Sequence, residues 1–279
     1  MLILVLAVLS LTAAVLGCLA GGAFCGLAWL WLLPLEFLGA FIGLFVIVFL
    51  LVWLLAAIVD TSKPQEEDSK FYRWLIGILA EAAHTILGMR VHATGLEKTP
   101  KDGRFLLVCN HLHEFDPVVL LHHFRKSQLA FISKRENNSM FVVGKYMHRI
   151  QCQLINREND REALKTIIKC IQILREDKAS VVVFPEGYIH KQRKFQPFRP
   201  GVFKIAQKAQ VPIVVCTVTN THKVLKNLKK LKPTDIDLHL LTVIQPEEYQ
   251  GVTTVELAQQ IHDMMAQDLG EEYKLEENA

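Results

Sequence analysis

Between Met1 and Val59 the chain carries one charged side chain, Glu36. A soluble fold has no use for so long an uncharged run, whereas a bilayer core takes roughly 20 helical residues per crossing. The run therefore reads as two membrane helices, near residues 3–31 and 38–59, with a tight turn at Pro34 and Glu36. It is too long for a secretory signal and lacks the basic start that such a signal needs. All 31 Lys and Arg lie beyond residue 60, so the remainder carries a positive excess. About 220 residues suffice for one α/β domain with its own core.

A hairpin leaves both ends on one side. Lys63, Lys70 and Arg73 follow the second crossing and the turn has no positive charge, so the positive-inside bias puts the large domain in the cytoplasm. The six cysteines include no Cys-x-x-Cys pair, which suggests neither a disulfide framework nor a cysteine zinc site. They read as reduced and buried.

The expected organisation is a membrane hairpin at 1–59, a linker and interfacial helix at 60–87, an α/β domain at 88–270 and a polar tail at 271–279 that frays. Within 60–87, Thr61–Lys70 is polar and contains Pro64. Phe71–Leu87 is apolar, and its Arg73 and Trp74 suit a membrane interface. An ordinary domain helix fits equally. Strand-length apolar runs follow at Phe105–Cys109, Leu129–Ile132, Ser180–Phe184, Pro212–Val218 and Leu238–Ile244. Helical spacing is clearest at Arg161–Leu174 and Val202–Ala209. Strands alternating with helices argue for a sheet covered by helices, with ligand sites at strand ends.

Two segments carry chemistry. Asn110-His111-Leu112-His113-Glu114-Phe115-Asp116-Pro117 follows the first of these strands. His111 and Asp116 would lie about 140° apart on a regular helix, so they meet only if the chain turns between them. A loop entering a helix at Asp116 and Pro117 permits that, with Asp116 free to cap. A carboxylate on one imidazole nitrogen leaves the other as a base. Alone, the motif is also compatible with a simple helix cap and a loop histidine. His111, His113, His122 and His123 with Glu114 and Asp116 follow no common zinc spacing. The second segment is Phe184-Pro185-Glu186-Gly187, which ends a buried run and is followed by Lys191, Arg193, Lys194 and Arg199. Such a cluster suits a phosphate-bearing ligand, or is simply a solvated turn.

Taken together, these blocks resemble the lysophospholipid acyltransferase family. Asn110, His111 and Asp116 match its Asn-His-x4-Asp box. Phe131-Ile132-Ser133-Lys134-Arg135-Glu136, Gly144 and Ile155-Asn156-Arg157 match a second block. Phe184-Pro185-Glu186-Gly187, then Phe198-Arg199-Pro200-Gly201 and Lys204, match a third, and Val211-Pro212-Ile213-Val214 a fourth. The chain departs from the family at His113 (often Ser), Gln151 (often Gly) and Asn156 (often Asp). It also has Tyr188-Ile189-His190 where Thr-Arg-Ser is usual. Lys191 or Arg193 stands in for that arginine, or the acceptor headgroup differs.

The resemblance implies a glycerolphosphate acyltransferase-like fold, α/β with a mixed sheet flanked by helices. It implies an acyltransferase in which His111, oriented by Asp116, takes the proton from the free hydroxyl of a lysophospholipid, foremost lysophosphatidate. Arg157, Glu186, Gly187, Lys191 and Arg193 would hold the acceptor phosphate. Lys134 or backbone N–H groups would meet the oxyanion. The implied partners are the bilayer, the lysophospholipid, and acyl-CoA or acyl carrier protein as donor substrate. No metal, other cofactor or nucleic acid is called for. An enzyme for another lyso-lipid and a non-catalytic lipid-binding protein of the same fold stay open.

Overall fold

The computed structural model describes residues 1–63 and 67–273, so Pro64 and the last six residues of the tail lie outside the described residues. The chain forms two compact units, Met1–Asp60 and Thr61–Ala279.

The first unit contains α1 (Leu2–Ala20), a short 3-10 turn (Ala23–Cys25) and α2 (Trp29–Ala57). The reversal is made at Gly21, Gly22 and Gly26 rather than at Pro34 and Glu36, and Gly22 takes a left-handed φ of 66°. Glycine supplies that conformation without a Cβ clash. Pro34 sits inside α2, where it removes one backbone bond in the second turn without ending the helix. Glu36 faces α1, and a Cβ added to Gly17 would overlap its carboxylate. Cys25, in the turn, is exposed, while the other five cysteines are buried. At about 1.5 Å per residue, α1 and α2 are roughly 28 and 44 Å long. Both are long and apolar enough to cross a bilayer core of about 30 Å.

The second unit is built on a seven-stranded mixed sheet. In chain order its strands are β1 (Met89–Thr94), β2 (Leu106–Cys109), β3 (Leu129–Lys134), β4 (Gln153–Ile155), β5 (Ser180–Val183), β6 (Ile213–Val218) and β7 (Thr234–Ile244). The spatial order is β1-β7-β6-β2-β5-β3-β4. Every pair is parallel except β6 with β7. Leu107 lies opposite both Val182 and Val214 in the middle of the sheet. With both faces covered, β2, β5 and β6 read as nearly continuous apolar runs, Ser180 and Thr217 being the polar positions. Each fully buried Leu or Val there stabilises the fold by about 1.5–3 kcal/mol. The five apolar runs appear as strands with ends shifted by a few residues. β1 and β4 had no such signal: β1 alternates in burial along one edge and β4 has three residues.

The helices are α3 (Lys70–Ile86), α4 (Asp116–His123), α5 (Phe141–Arg149), α6 (Asp160–Arg175), α7 (Lys204–Ala209), α8 (Val224–Leu228) and α9 (Thr254–Leu269). The helix expected over Val202–Ala209 begins as a 3-10 turn at Pro200–Phe203. α9 starts with a reciprocal capping box between Thr253 and Glu256. Cys170 and Ile173 of α6, Ile205 of α7 and Ile261 of α9 close over the β2–β5–β6 core. Arg73 of α3 does not reach outward as an interfacial cation. It turns inward, donating to the carbonyls of Leu129 (2.8 Å) and Ile150 (3.1 Å) and pairing with Asp68. Phe71 and Trp74 beside it are exposed.

His84 of α3 packs on His122 of α4 with ring centroids 4.3 Å apart, and His122 on His123 at 4.9 Å. Burial lowers the pKa of all three, and the neighbouring rings lower His122 and His123 further, taking His123 to about 4. The unfolded chain titrates near 6.5, so between about 4 and 6.5 it binds more protons than the fold does. Stability is therefore full above that window and falls as pH drops through it. Thermal unfolding followed from pH 7.5 to 4.5 should show that decline, and His123→Leu should make it shallower. An identical pH slope in the variant would contradict the assignment.

Candidate active site

Three chain segments meet at the carboxyl ends of β2, β5 and β6. Asn110, completely buried, clamps two of them: its Nδ2 donates to the Val218 carbonyl (2.8 Å) and its Oδ1 accepts from the Val218 N–H (2.7 Å). The motif asparagine thus ties the end of β2 to the end of β6.

Beyond it the chain turns back on Asp116. That residue is the first of α4, with Phe115 as the cap, so its side chain does not cap the helix forward. It reaches backward instead. Oδ2 accepts from His111 Nδ1 (2.9 Å), the Leu112 N–H (2.7 Å) and the His113 N–H (2.9 Å), while Oδ1 accepts from the Thr221 hydroxyl. The carboxylate is completely buried and the His111 side chain is 17% exposed. With Nδ1 engaged, Nε2 is the ring nitrogen left for chemistry. The His111 ring stacks on Phe184 at 4.1 Å between centroids.

Glu186 braces the same loop. Oε1 accepts from the His111 N–H (2.6 Å) and Oε2 from the Gln196 N–H (2.9 Å). Burial pushes its carboxyl up from 4.5 to about 8. Its two backbone donors oppose that rise and the nearby Asp116 charge adds to it. Its side chain holds two loops together. Gly187 has φ +83, its N–H closes a turn onto the Phe184 carbonyl (3.0 Å), and an added Cβ would sit 2.8 Å from Arg199 Nε. Only glycine lets that guanidinium lie over the turn.

A cavity of about 370 Å³ opens against Phe184, Pro185 and Gly187. Arg157, Arg199 and Lys204 line it, and Ile132, Ile155, Leu164 and Ile167 form its apolar wall. Burial lowers the Arg157 pKa, and the adjacent Arg199 charge lowers it further. Cations crowded this way favour a multiply charged anion.

The expected residues divide accordingly. His111 and Asp116 are paired, and Arg157 and Gly187 share the cavity. Lys134 at the end of β3 and Lys191 are exposed and line no part of it. Arg193, at φ +60, donates to the Leu112 carbonyl (2.9 Å). Arg199 and Lys204 line the cavity where Lys191 and Arg193 do not, and both belong to the Phe-Arg-Pro-Gly block and the helix after it. Thr221, 105 residues from Asp116, had no signal. Among the described residues no group of three or more His, Cys, Asp or Glu is placed to hold a metal ion.

The Glu186 brace has a pH signature. Its folded pKa exceeds the unfolded one, so the folded state holds an extra proton between about 4.5 and 8, and this contribution fades as pH rises through 8. Glu186→Gln should flatten stability between pH 6 and 9 while leaving the fold intact. An unchanged slope would argue against it.

Residues 90–219 match the family described as Acyltransferase. A probable 1-acyl-sn-glycerol-3-phosphate acyltransferase of Mycoplasma pneumoniae is 30% identical over 185 residues, covering 65% of this chain and 66% of that protein. The Escherichia coli K12 protein named 1-acyl-sn-glycerol-3-phosphate acyltransferase is 25% identical, covering 67% of this chain and 75% of its own. The chain spans just under two thirds of the Mycoplasma relative's length. The crystal structure of PlsC, the 1-acyl-sn-glycerophosphate (LPA) acyltransferase of Thermotoga maritima, superposes with a TM-score of 0.61 at 22% identity. It covers 78% of this chain and 86% of that one, and shares the fold. Over residues 90–219 the chain is thus similar to the acyltransferase family, and the relatives it matches are named 1-acyl-sn-glycerol-3-phosphate acyltransferases.

Proposed function

We propose that this protein transfers a fatty acyl group from a thioester to the free hydroxyl of lysophosphatidate. The observation that carries this reading is the His111–Asp116 pair, stacked on Phe184 at the wall of a cavity lined by three cations. His111 Nε2 takes the hydroxyl proton as the oxygen attacks the thioester carbonyl carbon. The tetrahedral intermediate then collapses, the carbon–sulfur bond breaks, and the imidazolium returns its proton to the leaving thiolate. Products are the new ester and a free thiol. Asp116 fixes the tautomer and stabilises the imidazolium. General-base catalysis is worth about 10²–10⁴-fold, so positioning supplies much of the rest.

Arg157, Arg199 and Lys204 hold the acceptor phosphate, and Lys191 and Arg193 do not. The donor is acyl-CoA or acyl carrier protein. The oxyanion is met by backbone N–H groups or by Lys134 swinging inward. The α1–α2 hairpin anchors the enzyme in a membrane, and Lys63 and Lys70 beyond it favour a cytoplasmic catalytic unit.

Purified protein should acylate lysophosphatidate, and His111→Ala should lower kcat by at least about 100-fold. Arg199→Ala should raise the KM for lysophosphatidate about tenfold and alter kcat little. Strong activity in His111→Ala would remove the mechanism. A wild type active only on other lyso-lipids would transfer the reading to that acceptor, in keeping with Tyr188-Ile189-His190 after Gly187.

A further inference from the structure

After α9 the chain returns toward the active site. Its first residues there, Glu271–Tyr273, were expected to fray but form a 3-10 turn whose last residue is buried. Tyr273 joins the same apolar core as Phe195. Its carbonyl accepts from the Phe195 N–H (2.7 Å). Its hydroxyl exchanges two hydrogen bonds with Asn220, accepting from the N–H (3.3 Å) and donating to Oδ1 (3.4 Å). Glu272 adds two ties: its carbonyl accepts from Lys194 Nζ (3.0 Å) and its carboxylate pairs with Lys223 (3.5 Å). Each segment gripped in this way carries a support of the dyad. Thr221, next to Asn220, donates to Asp116 Oδ1. Arg193 and Gln196, flanking Lys194 and Phe195, fasten the Leu112 carbonyl (2.9 Å) and the Glu186 carboxylate (2.9 Å).

We infer that Tyr273 is a positioning residue for the His111–Asp116 dyad, acting through Asn220 and Thr221 on the Asp116 carboxylate. Asn220 has φ +64 and opens the 3-10 turn that carries Thr221. A residue other than glycine keeps such a left-handed conformation only where its surroundings hold it there. Lys223 Nζ donates to Asn220 Oδ1 (2.6 Å), but that bond lies within the turn and does not tie it to the rest of the fold. Tyr273 does so from 53 residues away, with its ring seated in the core. Hydrogen bonds are directional, so a turn released from Tyr273 lets the Thr221 hydroxyl drift from Asp116 Oδ1. That buried oxygen then lacks its donor, and the carboxylate no longer has a single seat from which to orient His111. Tyr273 does not line the cavity, so its effect on the chemistry passes through these neighbours. The kinetic consequence rests on the proposed acyl transfer, whereas the hold on the loop can be followed without turnover.

The test uses full-length protein, with thermal unfolding to confirm that each variant folds. Tyr273→Phe keeps the ring and loses the hydroxyl, while Thr221→Val keeps the shape and loses the donor. Each should lower kcat for acylation of lysophosphatidate about fivefold and leave KM unchanged, the size expected for one net hydrogen bond. Thr221→Ser should recover most of the loss. Because one residue acts through the other, adding Tyr273→Phe to Thr221→Val should change kcat by less than about 1.5-fold. Wild-type kcat in Tyr273→Phe, a loss confined to KM, or losses that multiply in the pair would each overturn the inference. Hydrogen exchange gives a second reading that needs no turnover. The peptide over 110–116 contains the Leu112 and His113 N–H groups that donate to Asp116. In Tyr273→Phe it should exchange at least about threefold faster, with α6 exchanging as in the wild type. Unchanged exchange at 110–116, or equal acceleration in α6, overturns the inference whatever the activity. A wild type that acylates no lyso-lipid would defeat the proposed function, and the exchange result would then decide the role of Tyr273 alone.

Discussion

One buried carboxylate organises the site. Asp116 has no solvent exposure and collects four donors, from His111, Leu112, His113 and Thr221. Two backbone N–H groups fold the loop after β2 into a ring around it. The imidazole is the third donor, and its orientation follows from the same closure. Thr221 adds a tether from beyond β6, so the carboxylate joins two strand ends as well as two side chains. A buried charge left without such partners costs several kcal/mol. The loop therefore closes around Asp116, or the site does not form.

The surrounding contacts extend that arrangement. Asn110 clamps β2 to β6, Glu186 braces the loop after β5 against His111, and Arg193 secures the Leu112 carbonyl. Backbone groups accept or donate in each of these, so the motif residues do much of their work as fold staples. The cavity is different in kind. Arg157 and Arg199 crowd each other there beside Lys204, a charge arrangement suited to an anion.

What was legible in the sequence follows burial. β2, β5 and β6 were readable because both of their faces are covered and every position but Ser180 and Thr217 is apolar. β1 was hidden because alternate side chains, among them Arg90 and His92, face outward. The hairpin turns at its glycines and not at its proline, because a helix tolerates Pro34 near its start whereas the left-handed Gly22 cannot be replaced cheaply. Arg73 looked interfacial from its neighbours, but the carbonyls it donates to lie 56 and 77 residues away. The departure at Gln151 is a backbone matter: its φ is +64, where glycine is the unstrained choice. The His111–Asp116 pairing could be foreseen as a turn requirement, whereas Thr221, 105 residues from Asp116, is a tertiary partner without a local signal.

The claim that Asp116 acts on catalysis through His111 is tested most directly by a double-mutant cycle on acyl transfer to lysophosphatidate: wild type, His111→Ala, Asp116→Asn and the pair, each checked for folding. If Asp116 works by orienting His111, removing it from a protein that already lacks the imidazole should cost almost nothing, and the pair should match His111→Ala within about threefold. Losses that multiply in the pair would mean that Asp116 and His111 contribute independently, and the dyad would have to be abandoned.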